Sequence, residues 1–354
     1  MVDMTIAIVL PRAMVFSPKG ATSIDLVAKD LLFHSRLKDQ TVVYGPDIVE
    51  PFDGFQFVGL KASNQRQRDR ELVEHLKSQK PSCVVVHQYV QTAALIASKL
   101  PDSRVILHRH GLLKKRKNAL ARFVKSRSYR KLSHIIFVSN FIRGSFLEDF
   151  PSLRERSLVL YNGVDTTTWC PSAEKKKQVV YIGRARTDKG ILPLIEGFRK
   201  ANFSDWRLKL ICAVQTEEEA DFYRDLQAKT ANDSVIELVA NYSIDQVRDC
   251  LAESLVAISP SIVKEGFSRA LIEAMSCGCA SIGTLSGGMA EAAGDAAYVL
   301  QGVDMNSIAE AFEDLLADPE KIGHFGKLGR DHVCANFDIG KMSNAYDEIL
   351  EHFE

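Results

Sequence analysis

Two glutamates, Glu265 and Glu273, stand eight positions apart in KEGFSRALIEAMSCGCASIGTLSGGMAE, residues 264 to 291, ahead of a run of small residues and a Gly287-Gly288 pair. A carboxylate accepts hydrogen bonds from two vicinal hydroxyls at once, and the unpaired N–H groups at a helix start attract anions. LVAISP reads as a strand, SIVKEG as a loop and FSRALIEAMSC as a helix. The spacing therefore puts Glu265 at the helix entrance and Glu273 about two turns inside, roughly 12 Å further along the axis. The amides of Gly266, Phe267 and Ser268 fall between them as helix-start donors. Such a set suits an elongated polyol with a charged middle, the shape of a sugar nucleotide. The competing reading is a surface carboxylate favoured by the helix dipole and a paired helix residue. Gly283, Gly287 and Gly288 weigh against it, because they follow the next strand, where backbone can come close to a ligand.

A second cluster supplies the opposite charge. VVYIGRARTDKG is a strand ending at Gly183, followed by Arg184, Arg186 and Lys189 on a glycine-bounded loop that opens the helix ILPLIEGF. Arg184 offers a planar fork and Lys189 a mobile point charge, a pair able to neutralise a diphosphate. A solvated basic loop is the alternative, strongest for Arg186.

These side chains need a frame, and the chain has the length for two cores. It has 354 residues, more than one ordinary hydrophobic core holds. Short apolar runs (TIAIVL, TVVYG, CVVVH, RVILH, HIIFVS, SLVLYNGV) alternate with amphipathic segments, as buried parallel strands crossed by helices do. A lysine-rich stretch, TTTWCPSAEKKKQ, precedes a second series: VVYIG, RLKLICA, VIELVA, LVAISP, ASIGT and AAYVL. The expected class is α/β, with two Rossmann-like doubly wound domains at 1–170 and 171–337 and a C-terminal helix at 338–354 packing back on the first domain. Lys plus Arg and Asp plus Glu both total 45, so net charge gives no reason to expect nucleic acid. The seven cysteines are scattered and complete no metal-site spacing, which reads as reduced thiols in a cytoplasmic protein. No run approaches the roughly 20 apolar residues of a membrane span.

In this order Asn162-Gly163-Val164-Asp165, Gly183-Arg184 with Lys189-Gly190, Ser259-Pro260 with Glu265-Gly266-Phe267 and Glu273-Ala274-Met275, then Gly287-Gly288 with Glu291 resemble retaining glycosyltransferases of the GT-B fold, family four. The resemblance covers nearly all of the second half. It implies two domains facing a cleft, a nucleotide-diphosphate sugar donor held mainly by the second, and a glycan or glycolipid acceptor held mainly by the first. It implies that Glu273 binds ribose hydroxyls, Glu265 the transferred sugar, and Arg184 with Lys189 the diphosphate, with the amides of Gly266, Phe267 and Ser268 completing the cradle. In the first half it implies a glycine-rich loop, here SPKGAT with Gly20 alone, and a strand-end histidine, His110 rather than His108 in ILHRHGLL. Ser268 stands where the family often has a further glycine.

No Asp-x-Asp pair occupies a plausible loop, and Arg184 with Lys189 could do a metal's electrostatic work, so the expectation is no cofactor and no metal. A sugar-nucleotide epimerase and a non-catalytic sugar-nucleotide-binding protein are the alternatives on this architecture. A phosphorylase is disfavoured by length, and an NAD enzyme by the lack of G-x-G-x-x-G after any strand.

The last signal is KKRKNALARFVKSRSYRKLS. No acidic residue occurs from Ser103 to Leu147, while Lys114, Lys115, Arg116, Lys117, Arg122, Lys125, Arg127, Arg130 and Lys131 crowd one segment of helix formers. Leu120, Phe123, Val124 and Tyr129 form an apolar stripe expected to face the core, leaving the cations outward. The alternatives are a solvated basic helix and an anionic partner. Such a surface suits an anionic membrane face or a lipid-linked acceptor of lipopolysaccharide or polysaccharide synthesis. Without interleaved aromatics it does not suit nucleic acid.

Overall fold

The structure is a computed structural model describing residues 4–12, 14–20, 22–113 and 119–352. Lys114, Lys115, Arg116 and Lys117 lie outside the described residues. The chain divides into two compact units, one formed by Met1–Gly163 with Ile339–Glu354 and the other by Val164–Asp338.

The first unit carries strands β1 (Ile6–Val9), β2 (Thr41–Pro46), β3 (Gln56–Leu60), β4 (Cys83–His87), β5 (Arg104–Arg109), β6 (His134–Phe137) and β7 (Ser157–Val159). They pair in parallel in the order β3-β2-β1-β4-β5-β6-β7. The second carries β8 (Lys176–Arg184), β9 (Arg207–Ala213), β10 (Ile236–Ala240), β11 (Ser254–Ser259), β12 (Ala280–Gly283) and β13 (Tyr298–Val299), also parallel, in the order β10-β9-β8-β11-β12-β13. Both are doubly wound α/β sheets of Rossmann-like type, as the apolar runs imply. In each, strand order reverses around the unit's first strand: β1 lies between β2 and β4, and β8 between β9 and β11. Loops leaving the carboxyl ends at that reversal are where open α/β sheets bind ligands.

The apolar runs are buried because helices cover both faces. Cys83, Val84 and Val85 of β4 have no exposed surface, and Ile6, Ile8, Val85, Ile106 and Ile136 join one core with Val27 and Leu31 of a covering helix. Val179, Leu208, Leu210, Val256 and Ile282 build the other with Ile191, Leu194 and Phe312. One strand has no counterpart in the sequence reading: β3, an edge strand of which only the last residue is buried, carries too short an apolar run to signal itself.

Residues 164–170 belong to the second unit rather than the first. Val164 bridges to Asp338, Thr166 Oγ1 donates to Asp338 at 2.6 Å, and Ser276 Oγ donates to the Trp169 carbonyl at 2.6 Å. The C-terminal helix Ile339–His352 belongs to the first unit. There Tyr346 is buried, Ser35 Oγ donates to Asp347, and Ser343 Oγ donates to the Leu31 carbonyl at 2.8 Å.

The described part of the basic segment includes a helix, Ala119–Tyr129. Its apolar stripe does not face the core as expected. Tyr129 is fully buried against Phe146 and Phe150, but Phe123 and Val124 are 57% and 59% exposed. At 100° per residue, positions 123 and 124 cannot share the face that buries 129. The side chain of Leu120 is outside the described residues.

Candidate functional site

In the second unit three adjacent strands, β8, β11 and β12, end in loops tied to one another. The Asp188 carbonyl accepts from Ile262 N at 3.0 Å, and Thr284 Oγ1 donates to the Ser261 carbonyl at 3.0 Å. Glu265 pairs with Gly287 as an isolated parallel bridge, its carbonyl accepting from Gly288 N at 2.8 Å. The loops close this tightly because two glycines allow it. Gly190 has φ +72°, and a Cβ there would stand 2.0 Å from the Pro260 carbonyl oxygen. Gly287 has φ +67° and is the residue that turns the chain into the helix Gly288–Ala293.

These loops bring the predicted cation and carboxylate together. Lys189 Nζ lies 2.5 Å from Glu265 Oε1, and Ser261 Oγ donates to the same oxygen at 2.8 Å. Neither member of the ion pair is more than about a quarter exposed, their side chains showing 19% and 23% of their surface. Arg184, at the end of β8, pairs through Nε with Glu219 at 2.5 Å. That carboxylate is buried in the first turn of the helix Glu217–Thr230 and accepts from Gln215 N at 2.8 Å. The Tyr181 hydroxyl donates to the Arg184 carbonyl at 3.2 Å, fixing the strand's exit, and burial holds that phenol well above its ordinary pKa. Arg186 turns aside to pair with Asp188.

The helix carrying Glu273 starts later than its sequence suggests. It spans Arg269–Ser276, and Ser268 is its N-cap, accepting from Leu271 N at 3.4 Å. Gly266, Phe267 and Ser268 are therefore not its first-turn donors; the amides of Arg269 and Ala270 stand there instead. A serine at this point competes for the backbone as a cap, which ends the helix where an unbroken helix-forming run would continue it. Glu273 consequently lies just past the first turn rather than two turns in, buried, and paired with Arg269 at 2.8 Å. Phe267 packs edge-on against Phe337 at 5.4 Å.

In the first unit His110 follows the end of β5, beside two histidines of the neighbouring strand ends. His87 and His108 are register partners across β4 and β5. His87 Nδ1 and His110 Nε2 are 2.9 Å apart, and the His108 and His110 ring centres 4.3 Å. Gln88, at the left-handed φ of +70°, accepts from the His110 amide through Oε1 at 3.1 Å. Arg109 donates to the Gln88 and Gly111 carbonyls. Burial pushes the His87 imidazole down to about 3; burial first and neighbouring histidines second lower His108 and His110 well below the ordinary value, so all three are neutral at neutral pH. Gly20 has φ +84° with open space around its Cβ position, so the turn and not crowding requires glycine. The loop it belongs to is pinned by buried Asp25, whose Oδ2 accepts from Val15 N at 3.3 Å and Thr22 N at 2.9 Å.

Sequence reasoning did not find Glu219, Ser261, His87, Gln88 or Asp25. Two had a readable signal: T-x-x-E at Thr216 to Glu219 is a helix-start pattern, and His87 ends an apolar run just as His108 does.

Two family models divide the chain between them. Residues 170–332 match "Glycosyl transferases group 1" and residues 28–168 match "Glycosyltransferase Family 4". The chain belongs to these family-four, group 1 glycosyltransferases. It is 28% identical over 229 residues to the alpha-maltose-1-phosphate synthase of Mycobacterium tuberculosis, a match spanning 57% of this chain and 59% of that protein, so less than two thirds of that relative's length is matched. It is 23% identical over 318 residues to the lipopolysaccharide 1,2-N-acetylglucosaminetransferase of Salmonella typhimurium, covering 80% of this chain and 78% of that one. Among solved structures, Anabaena HepE in complex with UDP superposes with a TM-score of 0.80 at 16% identity, covering 98% of this chain and 99% of the other. A glycosyltransferase from Rickettsia africae superposes equally well, at 0.80 and 16% identity, over 99% of this chain and 98% of that one. At such identities the likeness is one of fold, and that fold is GT-B. Among the described residues no helix is long and apolar enough to cross a membrane.

Proposed function

We propose that this chain transfers a sugar from a nucleotide-diphosphate donor to a glycan or glycolipid acceptor, with retention of configuration and without a catalytic metal. The observation that carries the reading is the Lys189–Glu265 pair, set in tied loops at the carboxyl ends of β8, β11 and β12 with Arg184 on the same strand end. Related structures bound to UDP and to UDP-glucose support a donor of that class.

Cleaving the bond between the anomeric carbon and phosphate leaves an oxocarbenium-like sugar and adds negative charge to the departing diphosphate. Lys189 and Arg184 are the cations that oppose this charge, and fixed donors aimed at developing charge are worth the most where water is excluded. Each is held by a carboxylate until then. Glu265 exchanges its lysine partner for sugar hydroxyls, while Glu219 keeps Arg184 extended from the strand. Glu273 takes the ribose hydroxyls. A same-face attack in which the leaving phosphate accepts the acceptor's proton gives retention without a protein nucleophile. His110, neutral and half-buried, accepts or donates a hydrogen bond to substrate without adding charge.

The acceptor side is a membrane face or a lipid-linked glycan. Exposed Phe123 and Val124, with Arg127 one turn further along the same helix, support this, since exposed apolar side chains beside a cation suit an anionic bilayer surface, although Arg122 is paired with Asp149. The reading is tested by thermal shift against UDP, GDP, ADP and their sugars, then by the anomeric coupling of the product formed from the stabilising donor. No stabilisation by any of them, or a product of inverted configuration, overturns it.

A further inference from the structure

The three histidines do more than place His110. Their nitrogens, one from each ring, lie within 4.8 Å of one another. His87 and His108 are 1% and 0% exposed, yet His87 Nε2 and both nitrogens of His108 have no hydrogen-bond partner. Buried polar atoms normally find one, and each left without costs stability. Two of the rings sit on strand ends in fixed register, and Gln88 holds the backbone of the third by accepting from the His110 amide. The result is three neutral imidazoles at close quarters, two of them buried, with no partner outside the cluster for His87 Nε2 or for either His108 nitrogen.

We propose that His87, His108 and His110 form a binding site for a single late first-row metal ion, Zn2+ or Cu+, and that the ion inhibits sugar transfer when bound. Imidazole nitrogens suit both zinc and copper. Zinc at its usual ligand distance of about 2.0–2.1 Å sets tetrahedral ligand atoms roughly 3.3 Å apart, so the rings need about 1.5 Å of closure at most. Each imidazole keeps its proton on the nitrogen turned away from the ion, and the 2.9 Å bond between His87 and His110 is given up. The cluster contains no carboxylate, and Arg109 beside it is a cation, so the fourth position takes water or an anion rather than a protein group. His110 is the half-buried member and provides the path in from solvent. Inhibition rests on the proposed role of His110 toward substrate; binding of the ion does not.

The experiment separates the two. The full chain, stripped with chelator, is titrated with Zn2+ against a chromophoric chelator, with Cu+ under reducing conditions in parallel, and with Co2+ as a visible-absorption probe of tetrahedral geometry. The expected result is one equivalent bound per chain, with affinity lowered about tenfold or more in His87→Ala, His108→Phe and His110→Ala. The half-exposed thiols Cys170 and Cys334 and the partly exposed His324 and His332 are left intact, so dependence on the three named histidines is the criterion. Should the two buried variants lose their far-UV ellipticity, His110→Ala carries the test. No stoichiometric ion, or equal affinity in wild type and folded variants, overturns the site. Donor hydrolysis is then followed with and without the bound ion in the wild type and in His87→Ala or His108→Phe, whichever folds: loss of turnover in the wild type but not in that variant supports inhibition, and unchanged turnover with the site filled refutes inhibition alone.

Discussion

Acidification is expected to weaken the first unit through its buried histidines. The native chain keeps His87 neutral down to about pH 3 because burial opposes the imidazolium, whereas the unfolded chain protonates it near the ordinary value of about 6.5. Below that value the unfolded state binds more protons, so stability falls as pH falls. Between pH of about 7.5 and about 5, His87 alone costs about 2 kcal/mol. His108, His110 and His134, lowered chiefly by burial as well, act in the same direction and add to this loss. The carboxyls of Asp25 and Asp347, raised by burial, take up protons first in the native state and oppose the loss only at the acid end. Against a typical domain stability of about 5–15 kcal/mol, this loss is large. The assay is the urea midpoint by far-UV circular dichroism across that pH range. Both tryptophans, Trp169 and Trp206, lie in the second unit, so their fluorescence serves as an internal comparison. His108→Phe, which keeps a ring without titrating, reduces the pH slope by about one proton. A urea midpoint that stays flat from neutral pH to the acid end, or a slope that His108→Phe leaves unchanged, refutes the reasoning.

Lys189→Ala and Arg184→Ala are each expected to lower kcat by about a hundredfold or more, because they oppose charge that grows only in the transition state; the Tm moves little in Lys189→Ala but falls in Arg184→Ala, which leaves buried Glu219 unpaired. Donor-hydrolysis kinetics beside a thermal melt decide this, and normal turnover in the double variant ends the diphosphate assignment. Glu273→Gln is expected to raise donor KM with kcat nearly kept, and Glu265→Gln to depress kcat more than affinity; equal small effects of both would remove the two-ended carboxylate arrangement. Gly190→Ala is expected to destabilise the second unit by about 2 kcal/mol or more, since it combines a left-handed φ with a methyl group pressed on the Pro260 carbonyl, and tryptophan-detected unfolding measures it. Phe123→Ser with Val124→Ser is expected to weaken co-sedimentation with anionic vesicles at low salt without altering ellipticity; binding equal to wild type would show that this helix does not meet the bilayer.

What the sequence determined alone was everything set by local pattern. Continuous apolar runs bounded by turns are a property of a few neighbouring residues, so twelve of the strands, both parallel sheets and the loops bearing Arg184, Lys189, Glu265 and the glycines were legible from it. Edge strand β3 was not, because a strand covered on one side only needs no long apolar run. The start of the helix Arg269–Ser276 was local too, but it turned on a competition between capping and propagation at Ser268 that residue types alone leave open. The tertiary structure decided which distant groups meet. Lys189 reaches Glu265 across 76 positions because β8 and β11 are neighbours and Gly190 lets their exit loops touch, and Arg184 meets Glu219 because a helix start returns to the strand's end. His87 faces His108 only through the parallel register of β4 and β5, where a shift of one residue would have turned one ring to the opposite face of the sheet. Pairing of that kind depends on sheet order and loop closure summed over the whole unit, and no short stretch of sequence carries it.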